Sequence, residues 1–192
     1  MNRTYGALIL AGGKGRRMGG ANKALLQWQS RTFLSRLEEA LSDFEEKLIS
    51  VQDPSWLEDS PFRPVPDQIP DRGPLEGLRC ALSCCRSDAL LVVACDMPCF
   101  SAQLAQALME ADTGYDALVC RDGSGRLHPL CGIYSKQCLP VIQTLLDKQN
   151  YKVSGVLDHV HSALFTLDSP QLSDTLLSNV NTPEALEHLG RS

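Results

Sequence analysis

The chain contains no stretch approaching the roughly eighteen consecutive apolar residues that span a bilayer, and its N-terminus lacks the basic, apolar and small-residue order of a secretory signal. Both absences predict a cytoplasmic protein. Eight cysteines are present, yet no CxxC pair occurs among them and most sit inside apolar runs. They read as small buried hydrophobes in a reducing compartment rather than as a disulfide or metal framework. His159 and His161 lie two apart, so their side chains diverge on a strand or a helix and no metal pair is expected there. Internal repeats and low-complexity tracts are also missing. Acidic residues are absent from the first 37 positions, which carry seven Lys or Arg before Glu38, whereas the rest of the chain sums to −12 and brings the total to −5. An acidic chain with one concentrated basic region is poorly suited to a long nucleic acid and well suited to a single small polyanion. A solvated basic N-terminal arm is the plainer alternative.

That basic region is the segment LILAGGKGRRMGGANK, Leu8 to Lys23, with five glycines and four cations directly after an apolar run. Glycines let backbone N–H groups approach a phosphate chain closely, and Lys14, Arg16, Arg17 and Lys23 supply neutralising charge. Two familiar phosphate loops are excluded by spacing. A Walker loop needs lysine after the second glycine, but Gly15 and Gly20 run into Ala21. A dinucleotide fingerprint from Gly13 and Gly15 needs glycine where Met18 stands.

Around this loop, strands and helices take turns. Tyr5 to Leu10 reads as a buried strand. Phe33, Leu34, Leu37, Leu41 and Phe44 recur at helical spacing behind Thr32, a helix N-cap. Lys47 to Val51 is a short strand. Between Pro54 and Pro74 lie six of the eleven prolines, so this region is expected to be irregular until Gly73 and Pro74 open a helix through Cys84. Ala89 to Cys95 is a continuous apolar strand that stops at Asp96. Ser101 caps a helix to about Ala111, Ala117 to Cys120 is a strand, and Asp122 to Gly125 a turn. Helices follow at Lys136 to Leu146 and Val153 to His159, then a strand at Ala163 to Leu167 and a last helix opened by Thr182, Pro183 and Glu184. At 192 residues and 43% hydrophobic content, the expectation is one domain over 1–192, a three-layer α/β/α, Rossmann-like architecture with a mostly parallel sheet. Ligands on such sheets bind beyond the carboxyl ends of the strands. The glycine loop and Asp96 both follow strands and are therefore expected on one rim.

Five segments in this order resemble a known family: LAGGKGRRMGG with Lys23 shortly after, PDQIPDRGPLEG at Pro66 to Gly77, CDMP at Cys95 to Pro98, HPLCGIY at His128 to Tyr134, and NVNTPE at Asn179 to Glu184. Together they resemble the molybdenum cofactor guanylyltransferases and span nearly the whole chain. The first and third segments alone are shared with many nucleotidyltransferases. The resemblance implies a nucleotide-diphospho-sugar transferase-like fold and Mg²⁺-dependent transfer of GMP from GTP to molybdenum-molybdopterin. It implies nucleotide contacts from Leu10, Ala11, Gly12, Gly13, Gln52 and Asp67, phosphate contacts from Arg17 and Lys23, and metal ligation by Asp96. Lys152, Asn179 and Asn181 match positions on the pterin side. Molybdopterin-loading proteins and molybdoenzyme-specific chaperones are the implied partners, and neither nucleic acid nor membrane is. Among relatives LAGG accompanies guanine and LAAG cytosine, so Gly12 favours GTP. The chain departs from the family at Asn22, where an acidic residue usually precedes the lysine, at Gln52, which stands for asparagine, and at Tyr151 and Lys152, where arginines are usual.

The chemistry stands apart from the resemblance. Nucleotidyl transfer needs an in-line attack of a phosphate oxygen on the α-phosphorus of a nucleoside triphosphate, with pyrophosphate leaving opposite. No protein nucleophile is required, so catalysis rests on positioning and charge neutralisation. Asp96 is a hard oxygen ligand suited to Mg²⁺; as a structural residue it would cap the turn through Pro98. Asp67 could equally be a turn aspartate, and Asn179 and Asn181 could serve the turn before the last helix. His128 reads as a structural or substrate-edge residue. A cytidylyltransferase acting on the same pterin, a sugar- or alcohol-phosphate nucleotidyltransferase, and a non-catalytic cofactor-delivery module remain the alternatives.

Overall fold

The computed structural model of the protein describes residues 3–12, 22–57, 59–167, 172–180 and 185–186. In chain order these form β1 (Tyr5–Leu10), β2 (Gln27–Trp28), β3 (Arg31–Thr32), α1 (Phe33–Ala40), β4 (Lys47–Val51), β5 (Arg63–Pro66) and α2 (Pro74–Cys84). There follow β6 (Ala89–Ala94), α3 (Ala102–Ala111), β7 (Ala117–Arg121), β8 (Leu127–Ser135), α4 (Leu139–Asp147), α5 (Ser154–Leu157) and β9 (Ser162–Thr166). Seven strands make one mixed sheet in the order β5-β4-β1-β6-β8-β7-β9, and β2 and β3 pair as a separate hairpin. β5, β4, β1 and β6 are mutually parallel, β8 runs antiparallel to both its neighbours, and β7 and β9 are parallel.

The period-two alternation of β1 divides the core. Ala7 and Ile9 face a cluster with Leu34 and Leu37 of α1 and Leu104 and Leu108 of α3. Leu8 and Leu10 face the opposite cluster, with Leu75 and Leu78 of α2 and Ile142 and Leu146 of α4. The sheet is therefore covered on both faces, which explains why β1, β4 and β6 are almost continuously apolar. Each fully buried Leu, Ile or Val contributes about 1.5–3 kcal/mol. Caps fall where the side chains dictate: Thr32 Oγ1 accepts from Ser35 N–H at 3.0 Å and Ser101 Oγ from Leu104 N–H at 3.3 Å. Among the described residues, no helix is long and apolar enough to cross a membrane.

Several elements differ from the sequence expectation. The helix behind Thr32 ends at Ala40, and Leu41 and Phe44 remain buried from the turn that follows. The proline-rich segment contains an edge strand, β5, paired in parallel with β4; Pro64 and Pro66 are tolerated because an edge strand leaves one row of N–H positions without partners. The sequence reading assigns no element to 127–135, yet β8 is the longest strand described. Pro129 and Gly132 disguise it. Gly132 lies so close to β7 that a Cβ there would sit 2.3 Å from the Leu118 carbonyl oxygen, beside a register shift between Val119 and Cys120. α4 begins at Leu139 after a 3₁₀ turn over Lys136–Cys138, and α5 spans only Ser154–Leu157. The expected cap at Thr182 to Glu184 lies outside the described residues.

Candidate active site

The register of the parallel strands levels their carboxyl ends. Leu10 pairs with both Ser50 and Ala94, and Val51 pairs with Pro66. The ladder continues one step past the strands, with Ala11 N–H donating to the Ser50 carbonyl, Cys95 N–H to Leu10 and Asp67 N–H to Val51. Four chain segments thus leave the sheet side by side, carrying Gly12, Gln52, Asp67 and Asp96 onto one rim, as the topology predicts. A wide concavity, about 670 Å³ and lined by Thr4, Tyr5, Phe44, Glu46 and Arg86, lies at the opposite rim, among the amino ends of β1, β4 and β6. It shares no residue with this constellation.

Asp96 stands at the centre. Its Oδ2 faces Lys23 Nζ at 3.3 Å, and its Oδ1 accepts from Asn179 Nδ2 at 2.8 Å. Its backbone carbonyl accepts from Val180 N–H at 2.8 Å. These contacts join segments that are 73 and 83 residues from Asp96 in sequence. Lys23 opens a 3₁₀ turn over Lys23–Leu25 whose cap is Asn22: its Oδ1 accepts from Ala24 N–H at 3.1 Å. Asparagine and aspartate are both good caps, which gives Asn22 a structural reason in place of the acidic residue that the family resemblance leads one to expect. On the other side of the rim, residues 172–180 form a strap. Asp174 accepts from Gly123 N–H at 3.0–3.1 Å in the β7–β8 turn, and the strap ends on Asp96. His128 supports the same turn through Nε2 to Asp122 Oδ2 at 3.0 Å. The Ser124 hydroxyl, with His128 next, holds the Asp122 carboxyl far below the ordinary carboxylate range. His128 is therefore a structural residue of the turn.

The second group flanks the loop leaving β1 on its β4 side. Leu10, Gly12, Ser50, Gln52, Asp67 and Gly73 line a narrow cleft. A Cβ placed on Gly12 would lie 3.7 Å from Asp67 Oδ2, so the backbone passes directly over the carboxylate. Burial pushes the Asp67 carboxyl up, the Ser50 hydroxyl that donates to it pulls it down, and the negative charge of Glu76 raises it again. Leu10 and Ala11 are at the sheet end of this cleft, and Gln52 is exposed on its margin.

Of the residues singled out in the sequence, Leu10, Ala11, Gly12, Lys23, Gln52, Asp67, Asp96 and Asn179 meet along this rim. Gly13, Arg17 and Asn181 lie outside the described residues. Lys152 is exposed in the segment before α5, where its backbone N–H donates to Asn150 Oδ1 at 3.3 Å, and no described hydrogen bond or ion pair ties it to Asp96 or Asn179. Asn179, placed by resemblance on the pterin side, makes its described side-chain contact with Asp96. The sequence reading overlooks Ser50, although a hydroxyl inside the buried run KLISV is itself a signal.

The donor set limits what metal the site can hold. Asp96 is a lone carboxylate between an ammonium and an amide, and among the described residues no group of three or more His, Cys, Asp or Glu side chains converges. Among the described residues this leaves no all-protein cage and fits a divalent cation that takes one or two carboxylates and completes its shell with phosphate oxygens and water.

Residues 7–163 match the MobA-like NTP transferase domain family. A probable molybdenum cofactor guanylyltransferase of Methanosarcina mazei is 35% identical over 202 aligned positions, covering 95% of this chain and 88% of the relative. The solved molybdopterin-guanine dinucleotide biosynthesis protein A of Archaeoglobus fulgidus superposes with a TM-score of 0.77 at 18% identity, covering 96% of each chain. A Mycobacterium tuberculosis protein solved as a complex with manganese superposes with a TM-score of 0.67 at 16% identity over 99% of each chain. With Gly12, Lys23 and the strand-end Asp96 on one rim of a sheet of this order, the match over residues 7–163 places the chain in the MobA-like NTP transferase family.

Proposed function

We propose that the protein transfers GMP from GTP to molybdenum-molybdopterin, forming the guanine dinucleotide cofactor and pyrophosphate. The observation that carries this reading is the Lys23–Asp96–Asn179 cluster, set on the same rim as the Gly12–Asp67 cleft. The likeness to the Methanosarcina molybdenum cofactor guanylyltransferase supports the choice of substrates. The cleft takes the guanosine end through Leu10, Ala11, Gly12, Gly13, Gln52 and Asp67, and Lys23 and Arg17 take the phosphates. A terminal phosphate oxygen of molybdopterin attacks the α-phosphorus in line, the bond from that phosphorus to the bridging oxygen breaks, and pyrophosphate leaves with the electron pair. Lys23 offsets charge on the phosphates, worth about 2 kcal/mol. Asp96 holds Mg²⁺, which supplies Lewis-acid charge to the phosphate oxygens when bound. The acceptor occupies the side of Asp96 on which Asn179 stands, with Asn181 and Lys152 assigned to the pterin by the family resemblance. We place the whole reaction in one cytoplasmic domain that hands its product to molybdoenzyme-specific chaperones and receives the pterin from molybdopterin-loading proteins.

The test is nucleotide selectivity. With Mg²⁺ and molybdenum-loaded pterin, pyrophosphate release is expected with GTP and not with CTP. Release with CTP alone would make the protein a cytidylyltransferase, and tight pterin binding without turnover on either nucleotide would make it a delivery module.

A further inference from the structure

One polar device lies just behind the rim, where β4, the end of β5 and α2 meet. Ser50 is 2% exposed, between the buried Ile49 and Val51 of β4. Its hydroxyl donates to Asp67 Oδ1 at 3.2 Å. The other carboxylate oxygen, Oδ2, is the one turned towards Gly12 and the cleft. Behind Ser50 stands Gly77 of α2, where a Cβ would lie 2.2 Å from Ser50 Oγ and 3.0 Å from Ser50 Cβ. Any larger residue at 77 would drive the hydroxyl from its place, so the glycine makes room for this hydrogen bond.

The chain after Asp67 is tied down as well. Glu76, fully buried, accepts from Ile69 N–H at 3.3 Å and from Arg79 Nη2 at 2.7 Å, and the same Arg79 nitrogen donates to Gln68 Oε1 at 2.8 Å. Asp67 therefore sits on a fixed backbone, and the hydrogen bond from Ser50 limits rotation of its side chain. A carboxylate is acceptor-only when ionised, and burial beside Glu76 works against ionisation. Among the described residues, Ser50 is the group that favours the charged form. Guanine offers two adjacent N–H donors, at N1 and the 2-amino group, matched to such an acceptor; cytosine does not.

We propose that Ser50 is a positioning residue for base selection: it orients the Asp67 carboxylate so that an oxygen faces the N–H donors of guanine at Gly12. This rests on the guanylyltransferase reading. Ser50→Ala leaves a methyl group in a space that already holds one carbon and a hydroxyl, so the fold is retained. Calorimetric Kd values for Mg-GTP and Mg-ITP, which lacks the 2-amino group, report binding, and turnover reports kcat separately from KM. Ser50→Ala is expected to weaken GTP binding about tenfold with kcat within twofold, and to narrow the preference for GTP over ITP. In an Asp67→Ala background the same substitution should cost nothing further, because the carboxylate that Ser50 orients is gone. Unchanged GTP affinity in Ser50→Ala, or an equal loss in both backgrounds, would overturn the proposal. Wild-type protein that binds GTP with a Ser50-dependent preference but makes no pyrophosphate would sink the transferase reading and uphold this one, whereas wild-type protein indifferent to GTP would sink both.

Discussion

Asn179→Ala separates two roles for one side chain. In the structure its amide donates to Asp96 Oδ1 at 2.8 Å, whereas the family resemblance puts it against the pterin. A hydrogen bond to a charged acceptor is worth about 1.5–3 kcal/mol. The Asp96 side chain keeps 15% of its exposure, so water replaces part of the lost donor and the lower end applies. About 1.5 kcal/mol corresponds to roughly tenfold in kcat/KM. If the amide orients the metal-binding carboxylate, steady-state pyrophosphate release will fall about tenfold and the Mg²⁺ concentration for half-maximal rate will rise, while KM for the pterin stays within twofold. A raised pterin KM with an unchanged Mg²⁺ dependence would refute the reasoning and leave Asn179 as a pterin contact that does not orient Asp96. Circular dichroism and the melting temperature should match the parent, because Val180 N–H still binds the Asp96 carbonyl.

Other perturbations follow from the same contacts. Lys23→Ala removes the ammonium 3.3 Å from Asp96 and should lower kcat/KM for GTP by about 2 kcal/mol, some thirtyfold; an unchanged value would exclude a phosphate role. Glu46, buried at the opposite rim, accepts from Arg86 N–H, Ser87 N–H and the Ser87 hydroxyl at 2.7–2.9 Å. Burial raises its carboxyl, but the Ser87 and Arg86 donors outweigh this and hold it below the usual range. Its stabilisation is therefore complete above the unfolded-state pKa and lost as pH falls through the lower folded one. Glu46→Gln should cost about 3 kcal/mol at pH 7, or roughly 6–10 °C in Tm, with the gap to wild type closing in acid; a gap constant with pH would disprove the linkage. Gly132→Ala forces a methyl against the Leu118 carbonyl at 2.3 Å and should destabilise by about 3 kcal/mol, seen as an earlier denaturant midpoint.

Legibility in the sequence followed the range of the interactions. β1, β4 and β6 could be read because strands buried on both faces must be apolar throughout, and helices capped by Thr32 and Ser101 announce themselves within four residues. β8 could not, since its Gly132 answers to a backbone on another strand and its Pro129 lies where a ladder bond is dispensable. The rim was foreseeable from two strand ends. The contact of Asn179 with Asp96 was not, because it depends on how a strap 83 residues downstream lies across the sheet, and no local pattern encodes that. Ser50 illustrates the middle case: its hydroxyl stood out in an apolar run, but its purpose appears only when Asp67 and Gly77 are brought beside it.

The strap has an outcome for biosynthesis. The carboxylate at position 96 emerges from the ribosome long before positions 179 and 180, so the sheet can form while its chemical centre still lacks two of the donors that steady it. A nascent chain halted before that point would own the strands of the sheet but neither contact from the strap to Asp96, and the cluster closes only once positions 179 and 180 have been made.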